Sequence, residues 1–282
     1  MIMVSEHFVT CGQMKILERR ADENGLSYYQ MMENAGRRAS EIIEEKTVRA
    51  LSTKIVRNKF VGSGIGTGGS FSGSLKVAES TDRFYGKERY SALIFCGKGN
   101  NGGDGLVSAR ILRKAGWRIT VILVDGKPRT EDSIENFGLL KGLDVDIEDM
   151  SVNSRVLMDM KGNYDVIIDA IYGTGFHGKL KENALKAAIY INERSRSAEN
   201  KRAGYGKEQK IPIVFSLDIP SGLGGDVTSE KEIDAMSIKA DFTIAFHARK
   251  PVHIQKFAGK FCGETIVADI GIDEDKLWNV EL

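Results

Sequence analysis

The stretch that most constrains the fold of this chain is residues 91–116, SALIFCGKGNNGGDGLVSARILRKAG. It begins with a short apolar run, which is typical of a buried parallel strand. A glycine-rich turn follows, and apolar residues then recur at helical spacing until Gly116, a residue suited to end a helix. Glycines let the backbone approach a phosphate, and the free N–H groups of a helix N-terminus favour negative charge. The stretch therefore predicts a strand, an anion-binding turn and a helix.

The same turn also carries side-chain oxygens, from Asn100, Asn101 and Asp104. These oxygens suit a cation or the polar edge of a ligand. A tight turn with no ligand is the alternative, but five glycines and two adjacent asparagines exceed what such a turn requires.

Strands and helices alternate along most of the chain. Apolar runs predict strands at residues 92–96, 118–124, 145–147, 164–169, 213–217, 242–246 and 265–267. Helical spacing predicts further helices at 130–142, 152–160 and 183–194, and two helices within 10–46 that precede the first strong strand. This alternation indicates an α/β fold in which helices cover both faces of a mainly parallel sheet.

Two polar segments interrupt the pattern within what we interpret as a single domain spanning residues 1–282. Residues 49–89 contain Gly64, Gly66 and Gly69 in G-x-G-x-x-G spacing. The dinucleotide fingerprint requires a good strand before the glycines and a helix after them, and neither is evident here. We therefore interpret 49–89 as an insertion or flexible loop, and the charged tract 195–210 as a second loop insertion.

Composition limits the function classes. Forty basic residues against thirty-nine acidic ones disfavour a nucleic-acid binder that relies on a basic surface. Cys11, Cys96 and Cys262 are too few and too scattered for a disulfide framework or a zinc site. The opening MIMVSEHFVTCGQ has no signal-peptide pattern, and no apolar run reaches membrane-spanning length. We expect a cytoplasmic protein without a membrane partner.

Three predicted strands end alike, each running into polar and glycine residues: GKGNNGGDG, DAIYGTG and DIPSGLGGD. Open parallel sheets bind ligands beyond the carboxyl ends of their strands, so these loops should converge on one pocket. A single aspartate in such a loop is ordinarily a helix cap or a turn residue, but three similar loops favour a shared site. The residues expected there are Asn101, Asp104, Asp169, Asp218 and Ser221.

Within this predicted pocket, Asp169 and Ser221 could supply oxygen ligands to a hard cation, assisted by Asn101. One carboxylate among neutral oxygens suits a monovalent ion better than zinc. Asp218, at the end of a strand, is the stronger candidate for proton transfer.

Basic residues near the strand ends are weaker candidates. His177 lies in a proposed ligand loop, but a structural or peripheral role is the simpler interpretation. Arg249 and Lys250 follow a strand, where they would either neutralise a phosphate or belong to a solvated loop.

Six motifs together resemble the YjeF N-terminal domain family, the NAD(P)H-hydrate epimerases: CGQMKILE, MMENAG, GKGNNGGDGLVSARIL, DAIYGTGFHGK, SLDIPSGLGGDV and ADFTIAFHARK. The resemblance spans about residues 9–46 and 90–275. It implies a Rossmann-like three-layer αβα sandwich with a mainly parallel sheet and two N-terminal helices. It also implies an isomerase that interconverts the R and S epimers of NADHX and NADPHX, the hydrated and damaged forms of NADH and NADPH. The dinucleotide would then be a substrate and not a cofactor.

The resemblance also implies which residues act. Those matching the family's substrate site are Asn100, Asn101, Gly102, Gly103, Asp104, Gly173, Thr174, Gly175, Phe176, His177, Gly178, Lys179 and Asp218. Asn101, Asp169 and Ser221 match positions that hold one potassium ion per subunit. Because epimerisation needs a proton shuttle, we assign that catalytic role to Asp218 as a hypothesis. Further implications are a homodimer and a separate NAD(P)H-hydrate dehydratase, since the often-fused dehydratase domain is absent from this sequence.

Two other functions compete with this interpretation. A non-catalytic module of the same family could serve as a scaffold for a protein or RNA partner, and the two insertions could form the partner surface. The intact NNGGD, Asp169, Asp218 and Ser221 argue against it, because a scaffold need not keep an acid and a cation site. A nicotinamide dehydrogenase lacks support, because no fingerprint is followed by an acid about twenty residues later. Lys98 stands where many members have proline, which should change only the rigidity of the turn.

Overall fold

Seven parallel strands form the centre of the structure, a computed structural model that describes residues 8–61, 89–160, 162–195 and 211–275. Their order across the sheet is β3-β2-β1-β4-β5-β6-β7, and every neighbouring pair is parallel. The strands are β1 (Ser91–Cys96), β2 (Arg118–Leu123), β3 (Val145–Asp149), β4 (Val166–Ala170), β5 (Ile213–Leu217), β6 (Phe242–Phe246) and β7 (Glu264–Ala268). The predicted α/β fold with a parallel sheet is confirmed.

Helices cover both faces of this sheet. The helices are α1 (Cys11–Glu23), α2 (Tyr28–Val61), α3 (Asn100–Lys114), α4 (Glu131–Gly138), α5 (Val156–Asp159), α6 (Glu182–Arg194) and α7 (Gly259–Cys262), with single 3₁₀ turns at Glu230–Glu232, Pro251–Ile254 and Lys256–Ala258. In β1, Ala92, Ile94 and Cys96 pack into a core with α1, α2 and α3. Leu93 and Phe95 point to the opposite face and pack against α6, as strand alternation requires. The three-layer αβα sandwich is therefore confirmed.

The N-terminal helices are fixed closely against the sheet layer. A capping box begins α1: the Gln13 N–H donates to the Thr10 hydroxyl at 3.1 Å, and the Thr10 N–H donates to the Gln13 side chain at 2.8 Å. Helix α2 lies so close to α3 that a Cβ on Gly36 would lie 2.4 Å from the Cβ of Val107. This packing sets the position of the α3 N-terminus. No helix within the described ranges is long and apolar enough to cross a bilayer.

The structure differs from the sequence analysis in the extent of some helices. Helix α2 continues to Val61, so the first part of segment 49–89 is helical and not a loop. No glycine or proline lies between Lys46 and Val61, so the chain carries no helix-ending signal there. The G-x-G-x-x-G glycines and the tract 196–210 lie outside the described residues, and the two insertions stay predictions. Helices α4 and α5 are shorter than the predicted 130–142 and 152–160.

Candidate active site

A cavity of about 710 Å³ opens beyond the carboxyl ends of the strands. The strand order reverses between β1 and β4, and open α/β sheets leave a crevice at such a switch point. The loops that follow β1, β4, β5 and β6 line the cavity together with α1. The predicted convergence of three strand-end loops is confirmed. Helix α1 is an addition that the sequence analysis did not include, and the loop after β6 contributes Lys250, which it named as a weaker candidate.

Most of the predicted site residues lie on the cavity wall. Those that line it are Asn100, Asn101, Asp104, Gly173, Thr174, Gly175, Phe176, His177 and Asp218. Gly102, Gly103, Gly178 and Lys179 are not among the lining residues, and neither are Asp169 and Ser221. Gly102 has a packing reason of its own, because a Cβ there would lie 1.9 Å from the Gly97 carbonyl oxygen.

Asp218 forms a buried ion pair. Its Oδ1 lies 2.6 Å from Nζ of Lys250, and its Oδ2 accepts the Thr174 N–H at 3.1 Å. The Lys250 side chain is 1% exposed, and its Nζ also donates to the Phe246 carbonyl at 2.8 Å. The solvated-loop alternative is therefore wrong for Lys250. Its local sequence is polar, but its charge is neutralised by the carboxylate of Asp218, which is distant in sequence. Asp218 itself adopts a left-handed φ of 62°, a conformation that L residues rarely accept without a structural reason.

Asp169 is fully buried and joins the loops after β4 and β5. Its Oδ1 accepts the Ser221 hydroxyl at 2.6 Å and the Ile171 N–H at 3.2 Å. Its Oδ2 accepts the Ser216 hydroxyl and the Ser221 N–H, both at 2.8 Å. Burial raises the pKa of Asp169, whereas these four hydrogen bonds act in the opposite direction. The arrangement holds the cavity wall together from behind.

Asn101 is the predicted cation ligand with free bonding capacity. Both atoms of its side-chain amide are buried, and neither has a hydrogen-bond partner among the residues described. A Cβ on Gly173 would lie 3.3 Å from Oδ1 of Asn101 and 2.8 Å from Oδ2 of Asp218, so only glycine leaves this space open. On the other side of the loop, the Ser221 hydroxyl accepts the Tyr172 N–H at 3.0 Å.

These donors fit a monovalent cation better than a transition metal. The amide oxygen of Asn101, which has no partner among the described residues, is a neutral hard ligand. The Ser221 hydroxyl, which accepts the N–H of Tyr172 next to Gly173, would be a second neutral oxygen. The carboxylate of Asp169 would have to exchange one of its hydrogen bonds to reach an ion directly. Within 8–61, 89–160, 162–195 and 211–275, no three His, Cys, Asp or Glu side chains are grouped so that they could hold a metal.

Two carboxyl groups on the cavity wall have no partner. The carboxyl groups of Glu18 in α1 and of Asp104 near the start of α3 make no hydrogen bond or ion pair with any described residue. Burial, followed by the charges of Asp218 and Glu18, raises the pKa of Asp104 well above its ordinary value. Burial and then Asp218 raise the pKa of Glu18 to about 7.

The sequence analysis missed Glu18, although α1 carried a signal. Met14, Leu17 and Ala21 form the buried stripe of this helix, and Glu18 lies four residues after Met14 and next to Leu17. A carboxylate on the buried side of an amphipathic helix needs a partner or a function. Further lining residues that the analysis left out are Lys15, Lys98, Thr130, Ile171, Tyr172 and Phe246.

An aromatic pair forms one wall of the cavity. The rings of Tyr172 and Phe176 stack with centroids 5.1 Å apart and planes 16° from parallel. The Tyr172 hydroxyl donates to Asp125 at 2.8 Å, and burial together with this bond raises the pKa of Tyr172. A fixed, flat aromatic surface of this kind suits a planar ring of a ligand.

Comparison with known proteins assigns the family. The family described as YjeF-related protein N-terminus matches residues 28–252. A bifunctional NAD(P)H-hydrate repair enzyme Nnr from Archaeoglobus fulgidus is 30% identical over 268 residues, which are 95% of this chain and 42% of that protein. The chain thus spans less than half the length of this relative. An NAD(P)H-hydrate epimerase from Nitrosopumilus maritimus is 29% identical, and the match covers 86% of both chains.

A solved structure supports the fold. The crystal structure of the yeast protein ynu0 superposes with a TM-score of 0.62 at 19% identity, covering 93% of this chain and 87% of that one. The family match covers most of the chain and includes the loops after β1, β4 and β5. The chain belongs to the family of YjeF-related protein N-terminus domains.

Proposed function

We propose that this protein is an NAD(P)H-hydrate epimerase that interconverts the R and S forms of NADHX and NADPHX. The observation that carries the proposal is the cavity at the sheet's switch point. It brings the N-terminal part of α3, the loop at 173–177 and Asp218 together at the carboxyl ends of three strands. The names of the Archaeoglobus and Nitrosopumilus relatives support the same activity. The reaction would be a metabolite repair step, and a separate dehydratase would then regenerate NADH or NADPH.

The cavity has the features that a hydrated dinucleotide requires. The N-terminus of α3 faces it, and the Gly99 cap leaves the first helical N–H groups without a side-chain partner. Such N–H groups, with the positive charges of Lys15 and Lys98 on the same wall, suit a pyrophosphate. The stacked Tyr172 and Phe176 offer a flat surface to a base or to the damaged ring.

Epimerisation requires breaking one bond at the carbon that carries both the hydroxyl group and the ring nitrogen. The ring either opens to an aldehyde or loses water to an iminium, and the bond then re-forms from the other face. Both routes exchange a proton near the hydroxyl oxygen. Asp218 is proposed to contact the substrate at this position, where Lys250 and the Thr174 N–H hold its carboxylate in a fixed orientation.

A potassium ion belongs to the proposal, with Asn101, Ser221 and Asp169 as the residues that would hold it. Bound there, the ion would supply a fixed positive charge that orients the substrate. The support is the buried Asn101 amide oxygen without a partner and the space that Gly173 leaves beside it. A homodimer and a cytoplasmic location are further proposals that rest on the sequence resemblance and on composition.

Proton NMR of purified protein mixed with pure S-NADPHX and potassium tests the activity, with NADHX in parallel. We expect the R epimer to appear at least about 100-fold faster than in a protein-free sample. Replacing potassium by tetramethylammonium should slow the reaction and lower the melting temperature. In an Asn101→Leu variant, the melting temperature should no longer respond to potassium.

Equal rates with and without protein would overturn the epimerase proposal and favour the scaffold function. If the melting temperature of the wild-type protein is the same with potassium and with tetramethylammonium, the potassium site alone would be overturned.

A further inference from the structure

Glu18 and Asp104 lie between two neighbouring spaces. Both line the main cavity, and both also line an adjoining recess of about 70 Å³. The recess is otherwise formed largely by apolar side chains, including Met31, Met32 and Ile270. The two carboxyl groups therefore lie where a ligand in the main cavity meets a largely apolar recess.

The bonding of these two groups differs from that of the other acids at the site. Both oxygens of Asp218 are engaged, one by Lys250 and one by the Thr174 N–H. Asp169 accepts four hydrogen bonds behind the wall. The carboxyl groups of Glu18 and Asp104, in contrast, have no hydrogen bond or ion pair within the described part of the chain. A group that must take up and release a proton in each cycle needs this freedom.

We propose that Glu18 and Asp104 are the proton-transfer pair of the epimerisation, and that Asp218, paired with Lys250, positions the substrate. This inference rests on the proposed function and replaces the sequence-based hypothesis that Asp218 is the proton shuttle. It makes Glu18 a catalytic residue, because its carboxylate would contact the substrate hydroxyl directly.

With Glu18 as the base and Asp104 as the acid, the proton transfers of a ring-opening reaction balance. The ionised Glu18 takes the hydroxyl proton, and the electron pair of the O–H bond becomes the second bond of an aldehyde C=O. The C–N bond breaks, and its electron pair stays on the ring nitrogen, which takes a proton from neutral Asp104. The aldehyde then turns its other face, and the nitrogen attacks it while returning its proton to Asp104. The new hydroxyl oxygen takes the proton back from Glu18, so both carboxyls end as they began and no oxidant or reductant is needed.

Burial and neighbouring charges raise the pKa of both carboxyls of this pair. The groups that face Glu18 are Lys15 on its own helix, Tyr28 at the start of α2, Asp104 on α3, and the Asp218–Lys250 pair. Burial and Asp218 hold the pKa of Glu18 at about 7, and burial raises the pKa of Asp104 as well. The charge of Glu18 contributes to the raised pKa of Asp104, so the two titrations are coupled.

Steady-state kinetics of single variants test the assignment, with each protein's melting temperature measured beside its rates. We expect Glu18→Gln to lower kcat about 100-fold while KM stays within about twofold. Glu18→Asp should recover part of this loss. Glu23→Gln is the matched control, because Glu23 lies on the same helix but is exposed and paired with Arg19, and it should leave kcat unchanged.

Two further readouts separate a catalytic role from a structural one. In the wild type, kcat/KM should rise as the pH increases through about 7, since Glu18 must lose its proton to act as the base. This rise should vanish in Glu18→Gln. With ¹⁸O-labelled water, early product should keep the oxygen of the substrate beyond the protein-free background, because ring opening does not exchange it.

The outcomes are distinguishable. An active wild type together with a fully active Glu18→Gln variant, or with an unchanged pH profile in that variant, would overturn the proton-pair assignment alone. One ¹⁸O atom entering each product molecule would also overturn it, because that result requires loss of water. An inactive wild type would overturn the proposed epimerase and this assignment with it.

Discussion

Two groups of wholly or partly buried carboxyls lie at the same edge of the sheet, and they differ in their partners. Asp169 is inaccessible to solvent and accepts hydrogen bonds from Ser216, Ser221 and Ile171. Glu18 and Asp104 face the cavity and have no such partners among the residues that the structure describes. Burial raises the pKa in all three, so burial alone does not separate them.

This comparison indicates that the hydrogen-bond and ion-pair partners of a buried acid determine its role. A carboxylate with all its lone pairs bonded stabilises the loops that it joins. An acid that is desolvated but unbonded lowers stability and gains a pKa in the range useful for catalysis. Substitutions by the neutral isosteres should therefore have opposite effects on the free energy of unfolding in the two groups.

The largest effect is expected at the ion pair between the two groups. Lys250→Met should lower the free energy of unfolding by about 3–5 kcal/mol, because it leaves the buried carboxylate of Asp218 without its counter-charge. Urea denaturation measures this change. The double variant Lys250→Met/Asp218→Asn should recover part of the loss, since neither charge then remains unpaired.

Lys260→Met is the matched control for this prediction. Lys260 pairs with Glu230 at a similar distance, but both side chains are more than half exposed, so its loss should cost less than about 1 kcal/mol. Equal losses for Lys250→Met and Lys260→Met would show that the buried pair contributes no more than a surface one.

Much of this arrangement follows from local sequence. Strands β1, β4 and β5 are short apolar runs that end in polar and glycine residues, and parallel pairing brings their ends to one edge. The loops around Asn101, Asp169 and Asp218 could thus be assigned to one site from the amino-acid sequence alone. The apolar runs and the polar strand ends are both visible in short stretches of sequence. The general rule that parallel sheets bind ligands beyond the carboxyl ends of their strands then places these loops together.

The remaining part of the site depends on contacts that no local pattern contains. Lys250 stands in the polar stretch HARKP, and its burial depends on Asp218, which is 32 residues away. Glu18 reaches the cavity because α1 is anchored at its start, where the Cys11 N–H donates to Asp226 at 2.8 Å, 215 residues away in sequence. Sequence reasoning for this reason left Lys250 open between a phosphate contact and a solvated loop, and it missed Glu18.

A smaller loss of stability is expected at Asp169. Asp169→Asn replaces one hydrogen-bond acceptor by a donor that faces the N–H and hydroxyl donors of its neighbours, so buried donors lose their partner. We expect the free energy of unfolding to fall by about 2–3 kcal/mol in urea. Asp144→Asn is the control, because Asp144 pairs with Arg113 but its side chain is 85% exposed. An Asp169→Asn variant as stable as the control would contradict a structural role for this carboxylate.

The smallest effect has the opposite sign and belongs to Asp104. The folded state raises the pKa of Asp104, so between its unfolded and folded pKa the folded protein binds more protons. The free energy of unfolding of the wild type therefore falls as the pH rises through that window. An asparagine at this position does not titrate, so the variant does not show this fall. Asp104→Asn should be more stable than the wild type by about 1 kcal/mol at pH 8, and this difference should shrink towards pH 5. If urea denaturation instead showed a loss resembling that of Asp169→Asn, or a difference independent of pH, Asp104 would be a structural acid like Asp169, and the distinction between bonded and free carboxyls at this edge would fail.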